Sequence, residues 1–368
     1  MAFARFSTMQ RPEACLIGWM REALQRMEVG TEPSGDGFRP GEAAVWWRGM
    51  FRLAAAHGVA GVVWPVVGRL SGAAAPPREV RLAWACHVQR LENRWLMQRT
   101  AVGRLAALSR EEGLPMLLLK GYGLSLLYPE PALRPCGDVD VWFFGRRREA
   151  DRCLAARFGA PVRAFDGHHT TFRVGSVTVE NHGALFDPRT HASNARLEPL
   201  FERLAASDRA TVDVGGESVS LPPPQFEALY LLRHAAVHFA GAGFGLRHLA
   251  DWRQFIACRG GQVDWSLLAE QSGILKMGAF LDCLDALCVD HLGLDAAAVP
   301  RPARDEELEG RVLEEILQRP DVSLPPLPGR LLRWWRSRWK HRLAYDEPLL
   351  SAFLRSAWAH AVVRSAKD

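Results

Sequence analysis

Leu117-Leu118-Leu119-Lys120-Gly121-Tyr122-Gly123-Leu124, followed after a loop by Arg134-Pro135-Cys136-Gly137-Asp138-Val139-Asp140-Val141-Trp142-Phe143, is the stretch whose reading decides the fold. An apolar run that ends in Gly121 and passes into helix-forming residues reads as strand, tight turn and helix. The second segment reads as a loop that enters another strand. A glycine turn lets the backbone approach a ligand closely, and the helix after it offers free N–H groups to phosphate. Residues two apart on a strand face the same way, so Asp138 and Asp140 present paired carboxylates at the strand's start. Two carboxylates that close repel each other unless a cation lies between them. A divalent ion held by carboxylates and substrate phosphates is the usual magnesium arrangement.

A two-metal site, with ions roughly 3.5–4 Å apart, needs a further carboxylate from a neighbouring strand. Val177-Thr178-Val179-Glu180-Asn181-His182 reads as that strand and supplies Glu180. Glu180 is assigned metal binding and proton acceptance from an attacking hydroxyl, a duty that Asp138 or a metal-bound water could also perform. His182, two residues on, faces the same way and is a candidate for the layer behind the ligands. Lys120 and Arg134 are read as phosphate contacts, because cations there would offset triphosphate charge. Solvent-facing charges beside a turn are the plainer alternative.

Outward from this centre, the text up to about residue 113 is helical, with Arg78 to Glu112 one long Pro-free run closed by Gly113. Between Pro115 and Pro224 short β-type runs dominate: Met116–Leu119, Val139–Phe143, Phe172–Val174, Val177–Glu180 and Val212–Val214. Helical runs Gly123–Tyr128 and Arg146–Phe158 separate some of them. Leu221-Pro222-Pro223-Pro224 breaks the pattern, and helical periodicity resumes near Gln225. A second Pro-rich break, Leu324 to Pro328, precedes a tail with Trp334, Trp335 and Trp339 among Arg333, Arg336, Arg338 and Lys340. The expected division is a helical region 1–113, a catalytic domain 114–224, a helical domain 225–322 and a tail 323–368, with the substrate between the domains.

These residues resemble a known family. Lys120-Gly121-Tyr122-Gly123-Leu124, Arg134 and Asp138-Val139-Asp140 are similar to the uncharacterised nucleotidyltransferases of the polymerase-beta superfamily, and to abortive-infection nucleotidyltransferases. The likeness extends to Glu180-Asn181-His182 and to His234, His238, Leu246-Arg247 and Asp251, so it spans Leu117 to Ile256. It implies an α+β fold with a polymerase-beta-like mixed sheet flanked by helical N-terminal and C-terminal regions. It also implies transfer of a nucleoside monophosphate from a nucleoside triphosphate to a hydroxyl, with Mg2+ or Mn2+ held by Asp138, Asp140 and Glu180. Lys120, Gly121, Tyr122 and Arg134 would bind the nucleotide. The acceptor stays open among a small molecule, a protein side chain and a tRNA end. Gly121-Tyr122 stands where relatives carry Gly-Ser or Gly-Gly, and Asn181 and Gly183 replace the usual Leu and Trp. These departures support an alternative, a nucleotide-binding or scaffold protein of the same fold without turnover.

His234 and His238 share a helix face at i, i+4, the spacing of a zinc pair. Ala235 stands where a metalloprotease has its general base, and no third ligand is evident, so the pair is expected to line the domain interface or the acceptor pocket. Arg247 and Asp251, also i, i+4, read equally as an intrahelical ion pair or as groups facing the nucleotide. Asp166-Gly167-His168-His169 reads as a hairpin turn whose adjacent histidines point to opposite faces. The tail tryptophans read as an amphipathic helix packed on the body, with stacking on nucleic-acid bases or a membrane surface as alternatives.

Composition sets the outer bounds. With 368 residues, 48% hydrophobic and 24% charged, the chain suits two or three packed domains rather than a disordered or fibrous protein. Val59 to Gly68, the longest nearly uncharged apolar run, is far short of the roughly 20 residues a spanning helix needs. No secretory pattern is visible at the N-terminus, which leads to a cytoplasmic expectation. Seven cysteines without a C-x-x-C pair suit free thiols, mostly buried, rather than a disulfide framework or zinc ribbon. A net charge of +5 permits a polyanionic partner without requiring one.

Overall fold

The structure is a computed structural model that describes residues 12–25, 42–165, 167–241, 243–318, 335–352 and 354–355. Its strands are β1 (Leu117–Leu118), β2 (Val139–Trp142), β3 (His169–Val174), β4 (Val177–His182), β5 (Thr211–Val214) and β6 (Glu217–Ser220). They form one mixed sheet in the order β3-β4-β2-β1-β6-β5. β1 runs antiparallel to β2 and parallel to β6, while β2 and β4 are parallel neighbours. The fold is therefore α+β with a mixed sheet, as the sequence implies. β6 escapes a sequence reading because Glu217-Ser218-Val219-Ser220 carries a single apolar residue; its pairing with β5 and β1 makes it a strand.

The α-helices are α1 (Pro12–Gln25), α2 (Glu42–Ala56), α3 (Trp64–Val67), α4 (Arg78–Glu111), α5 (Tyr122–Ser125), α6 (Arg147–Phe158), α7 (Ala192–Ala205), α8 (Pro224–Ala240), α9 (Leu246–Arg259), α10 (Trp265–Ile274), α11 (Gly278–Leu292), α12 (Glu306–Leu317) and α13 (Arg338–Ala344). The run expected to be helical over Gly123–Tyr128 is a single turn, α5. Beyond it the N–H groups of Leu127 and Tyr128 reach carbonyls three residues back, Leu124 and Ser125, and the chain leaves the helix before Pro129. Pro224 sits in the first turn of α8, where its missing N–H costs nothing.

The two faces of the sheet meet different partners. Val139, Val141, Phe172 and Val179 pack against the last turns of α4, at Ala101, Val102 and Leu105, and against Leu154 of α6. Leu117, Leu119 and Trp142 belong to a larger core that also holds α8, α9 and α11. Trp142 meets Phe226 of α8 at a centroid distance of 6.1 Å. The N-terminal helices enter that same core: Trp19 stacks on Trp47 at 5.5 Å, and Trp84 donates its indole N–H to the Ala60 carbonyl. α4 begins in this core with Val80 and Trp84 and ends beneath the sheet, so one helix ties both cores together.

α13 packs on α8, with Trp339 edge-on to Phe239 at 5.5 Å and Lys340 paired with Glu315 at 2.8 Å. This is the packed amphipathic arrangement for that part of the tail. The Leu324 to Pro328 break, Arg333, Trp334 and Asp166 lie outside the described residues. All seven cysteines are free, but only Cys136, Cys283 and Cys288 are buried, fewer than expected. Among the described residues no helix is long and apolar enough to cross a membrane.

Candidate active site

The parallel pairing of β2 with β4 sets Asp140 opposite Glu180 and Trp142 opposite His182. Side chains two apart share a face, so Asp140, Glu180 and His182 converge on the side of the sheet that faces α8. His182 Nε2 donates to Asp140 Oδ1 at 2.9 Å and lies 3.7 Å from Glu180 Oε2. Asp138 immediately precedes β2 rather than starting it, and it lines the same cavity as Asp140 and Glu180. One atom from each of Asp140, Glu180 and His182 lies within 4.8 Å of the others, so the imidazole is in direct contact with the carboxylates it was expected to support.

Gly121 makes that proximity possible. It adopts φ +58° and ψ −109°, and a Cβ there would meet the Asp138 carbonyl oxygen at 3.2 Å and Asp140 Oδ2 at 3.6 Å. Only glycine suits such a turn. Lys120, just before it, places Nζ 3.4 Å from Asp140 Oδ1. Burial opposes the lysine's charge, but Asp140, Tyr230 and Glu180 outweigh it and hold the pKa above the usual range. Burial would likewise raise Asp140, yet Lys120 and His182 hold its carboxyl well below the usual range. Glu180 has weaker support: burial, with Asp140 and Asp138 nearby, pushes it up to about 7.

Two residues expected at the nucleotide have other duties. Arg134 is almost fully buried, with Nε and Nη2 each 2.7 Å from an oxygen of Asp251 and Nη1 2.9 Å from the Gly121 carbonyl. Its guanidinium, at the edge of the same cavity, locks the glycine turn to α9. The Tyr122 ring is buried and stacks on Trp95 at 5.3 Å, pointing into the core beneath the sheet, so only its backbone remains on the site side.

α8 and α9 form the opposite wall. Asp251 pairs with Arg134 and accepts from Tyr128 Oη at 2.7 Å, so the intrahelical pair with Arg247 does not form. Arg247 lines the cavity and, among the described residues, has no ion-pair partner. His234 and His238 do share a face, and His248 of α9 comes to them, a neighbour the sequence did not reveal because it lies on another helix. His168 and His169 do not point apart: their rings sit 4.3 Å apart, and His169 Nε2 reaches Glu180 Oε1 at 3.4 Å. His169 begins β3 directly opposite His182, which explains the contact.

The cavity between the walls holds Lys120, Gly121, Asp138, Asp140, Glu180 and Arg247, and a larger neighbour shares Lys120, Glu180 and His234 with it. Acids on two adjacent strands, a glycine turn before them and a helical wall opposite thus enclose one cavity. A family model described as an uncharacterised nucleotidyltransferase matches residues 43–293. The chain belongs to that family. A crystal structure of an antigenic nucleotidyltransferase-like protein from Paracoccidioides brasiliensis is similar over 43% of this chain and 74% of its own, with 19% identity and a TM-score of 0.33. No curated protein matches the sequence. The matched span begins in α2 and ends just after α11, so the nucleotidyltransferase family unit includes helices on both sides of the sheet.

Proposed function

We propose that the chain is a metal-dependent nucleotidyltransferase that moves a nucleoside monophosphate from a nucleoside triphosphate to a hydroxyl acceptor. The observation that carries this is the in-register pairing of Asp140 with Glu180, with Asp138 and the Gly121 turn at the same cavity. Asp140 and Glu180, with Asp138 at the same cavity, offer the oxygen donors that a hard cation such as Mg2+ or Mn2+ takes, and His182 orients Asp140. Bound there, the ion would neutralise charge on the transferring phosphoryl group.

The protein's own groups supply the rest. Lys120 holds a positive charge beside Asp140, offsetting triphosphate charge. Gly121 keeps the backbone close, and Arg134 fixes that turn against α9. Glu180 stands at the seam between the two cavities, and a carboxyl raised to about 7 suits acceptance of the acceptor's proton near neutral pH. The nucleotide then occupies the Arg247 side and the acceptor enters from the larger cavity. A small molecule, a protein side chain and a tRNA end all fit this chemistry. A nucleoside triphosphate substrate supports a cytoplasmic setting.

One observation favours a second reading. Lys120 already lies against Asp140, partly neutralising the carboxylates as in a fold that binds nucleotide without turnover. Incubation with each labelled triphosphate, magnesium and fractionated cell extract separates the two. Transfer of label into one fraction, lost in Asp138→Ala and Asp140→Ala, is the expected outcome. Triphosphate binding with no transfer to any fraction would establish the scaffold instead.

A further inference from the structure

The histidines of the helical wall are arranged as if for a metal. His234 and His238 on α8 and His248 on α9 each bring one ring nitrogen within 4.8 Å of the others, and the ring centroids are 4.4, 4.9 and 6.2 Å apart. A zinc site needs three lone pairs aimed at one point. The hydrogen bonds and charges around this cluster provide something else.

His248 is the third residue of α9, and the Gly245 N–H donates to its Nδ1 at 3.1 Å in a capping arrangement. A backbone N–H can only donate, so Nδ1 carries the lone pair and Nε2 carries the proton. Nε2 in turn lies 3.4 Å from Arg247 Nη2, which is also only a donor. Two N–H groups thus stand side by side where a metal would need a lone pair. A cation would also meet like charge. Lys120 and Arg247 both act on His234 and His238, adding to burial in holding these rings neutral. Among the described residues no ring nitrogen of His234 or His238 has a hydrogen-bond partner, and Arg247 has no ion-pair partner. Each neutral ring of His234 and His238 has one N–H to turn toward a ligand, and these, with the His248 Nε2–H and the Lys120 and Arg247 cations, describe a site for an oxyanion.

The position says which oxyanion. Arg247 and His248 line the cavity that holds Asp138, Asp140 and Glu180, His234 and Lys120 stand where that cavity meets its neighbour, and His238 lines the neighbour just beyond that seam. A phosphate here lies across from the carboxylates, with the reacting centre between. We propose that His234, His238, His248 and Arg247 bind the terminal two phosphates of the triphosphate and retain them as the pyrophosphate leaving group. The anion preference stands on the cluster itself, whereas its assignment to a pyrophosphoryl group rests on the nucleotidyl-transfer reading.

Calorimetric titration of the full chain with inorganic pyrophosphate, in EDTA so that no divalent ion bridges to the carboxylates, tests this directly. Arg247→Gln and His248→Glu are each expected to weaken binding at least about tenfold, the cost of one charge-assisted contact. Glutamate at 248 can still accept the Gly245 N–H, so the cap survives while the added charge repels an anion; a metal site would instead keep or gain affinity. Asp140→Asn is expected to bind pyrophosphate as well as the wild type or better, since it removes a facing negative charge. Thermal melting of each variant shows whether lost affinity is lost folding, and Arg247→Gln tests the proposal should His248→Glu fail to fold.

Stoichiometric zinc, or cobalt with the absorption of a histidine-ligated ion, abolished by His234→Ala, would overturn the proposal. So would pyrophosphate affinity unchanged in Arg247→Gln and His248→Glu. Orthophosphate binding as tightly as pyrophosphate would overturn the pyrophosphoryl assignment. Pyrophosphate binding that depends on the cluster in a protein that transfers no nucleotide would leave the anion site standing and remove the nucleotidyl-transfer reading.

Discussion

Glu180 sits where a proton and a cation compete for the same oxygens. Burial and the adjacent Asp140 carboxylate raise its pKa to about 7, so below that pH it is mainly protonated and above it mainly ionised. A protonated carboxyl is a poor ligand. Magnesium affinity is therefore expected to fall as pH drops below about 7, by up to about tenfold per unit, and to level off above it. Calorimetric titration of Mg2+ between about pH 5.5 and 8.5 checks this, and Glu180→Gln should flatten the profile. At Gly121 the constraint is steric. Alanine at φ +58°, with its Cβ 3.2 Å from the Asp138 carbonyl, costs on the order of 2 kcal/mol and displaces the turn from Asp140. The expected result is a modest drop in melting temperature with a much larger loss of nucleotide transfer; a transfer rate equal to wild type would rule out a role for the turn.

At the scale of elements, the site depends on how α9 is fastened to the loop between β1 and β2. The buried Arg134–Asp251 pair, with Tyr128 as a further donor, makes that joint. Removing one partner strands a buried charge, so Arg134→Ala is expected to destabilise the fold by about 3–5 kcal/mol in chemical denaturation. Replacing both, as Arg134→Met with Asp251→Leu, leaves no buried charge and should recover most of that stability. It cannot restore the hydrogen bond from Arg134 to the Gly121 carbonyl, so transfer activity should remain low. Recovery of activity together with stability would show that the pair serves the fold alone.

Across the whole molecule, the N-terminal helices and the C-terminal helices share one core, and α4 carries it to the underside of the sheet. Trp19, buried and stacked on Trp47, lies far from Asp140 in sequence yet in that shared core. Trp19→Ala removes a large buried side chain and is expected to cost about 3–5 kcal/mol. Because the core is continuous, the loss should move a single unfolding transition seen alike by tryptophan fluorescence and by far-UV circular dichroism. Two separate transitions, with only the first shifted, would mean that the N-terminal helices melt alone. Asp285 makes one contribution to the pH dependence of stability. It is buried, accepts from Trp252 Nε1 at 2.8 Å, and burial raises its pKa to about 7. Its folded pKa is above its unfolded value, so this group's contribution to stability is present below about pH 4 and is lost as pH climbs from about 4 to about 7. Asp285→Asn keeps an acceptor for the indole and should raise the unfolding free energy above pH 7 by at most about 4 kcal/mol, seen as a higher melting temperature.

What the sequence by itself determined lies in local pattern. Gly121 between an apolar strand and a turn, Asp138 and Asp140 at alternate positions, and Glu180 with His182 two residues on need only backbone periodicity to be read; the structure gathers the glycine and the three acids at one cavity and sets His182 against Asp140 at its larger neighbour. Five of the strands and the helical flanks were legible for the same reason, whereas the mixed sheet was implied only by the family resemblance, because strand direction is set by pairing between distant segments. Tertiary structure alone decided the partners. Arg134 could face phosphate or Asp251, and burial of both with matched geometry settled on Asp251. Tyr122 could face the site or the core, and the one-turn helix after Gly121 turned its ring onto Trp95. His248 joined His234 and His238 because α9 crosses α8, and no spacing within either helix encodes that crossing. Charge state followed the same division: a carboxylate's neighbours in the chain say little about its pKa, whereas burial and the lysine across the turn decide it.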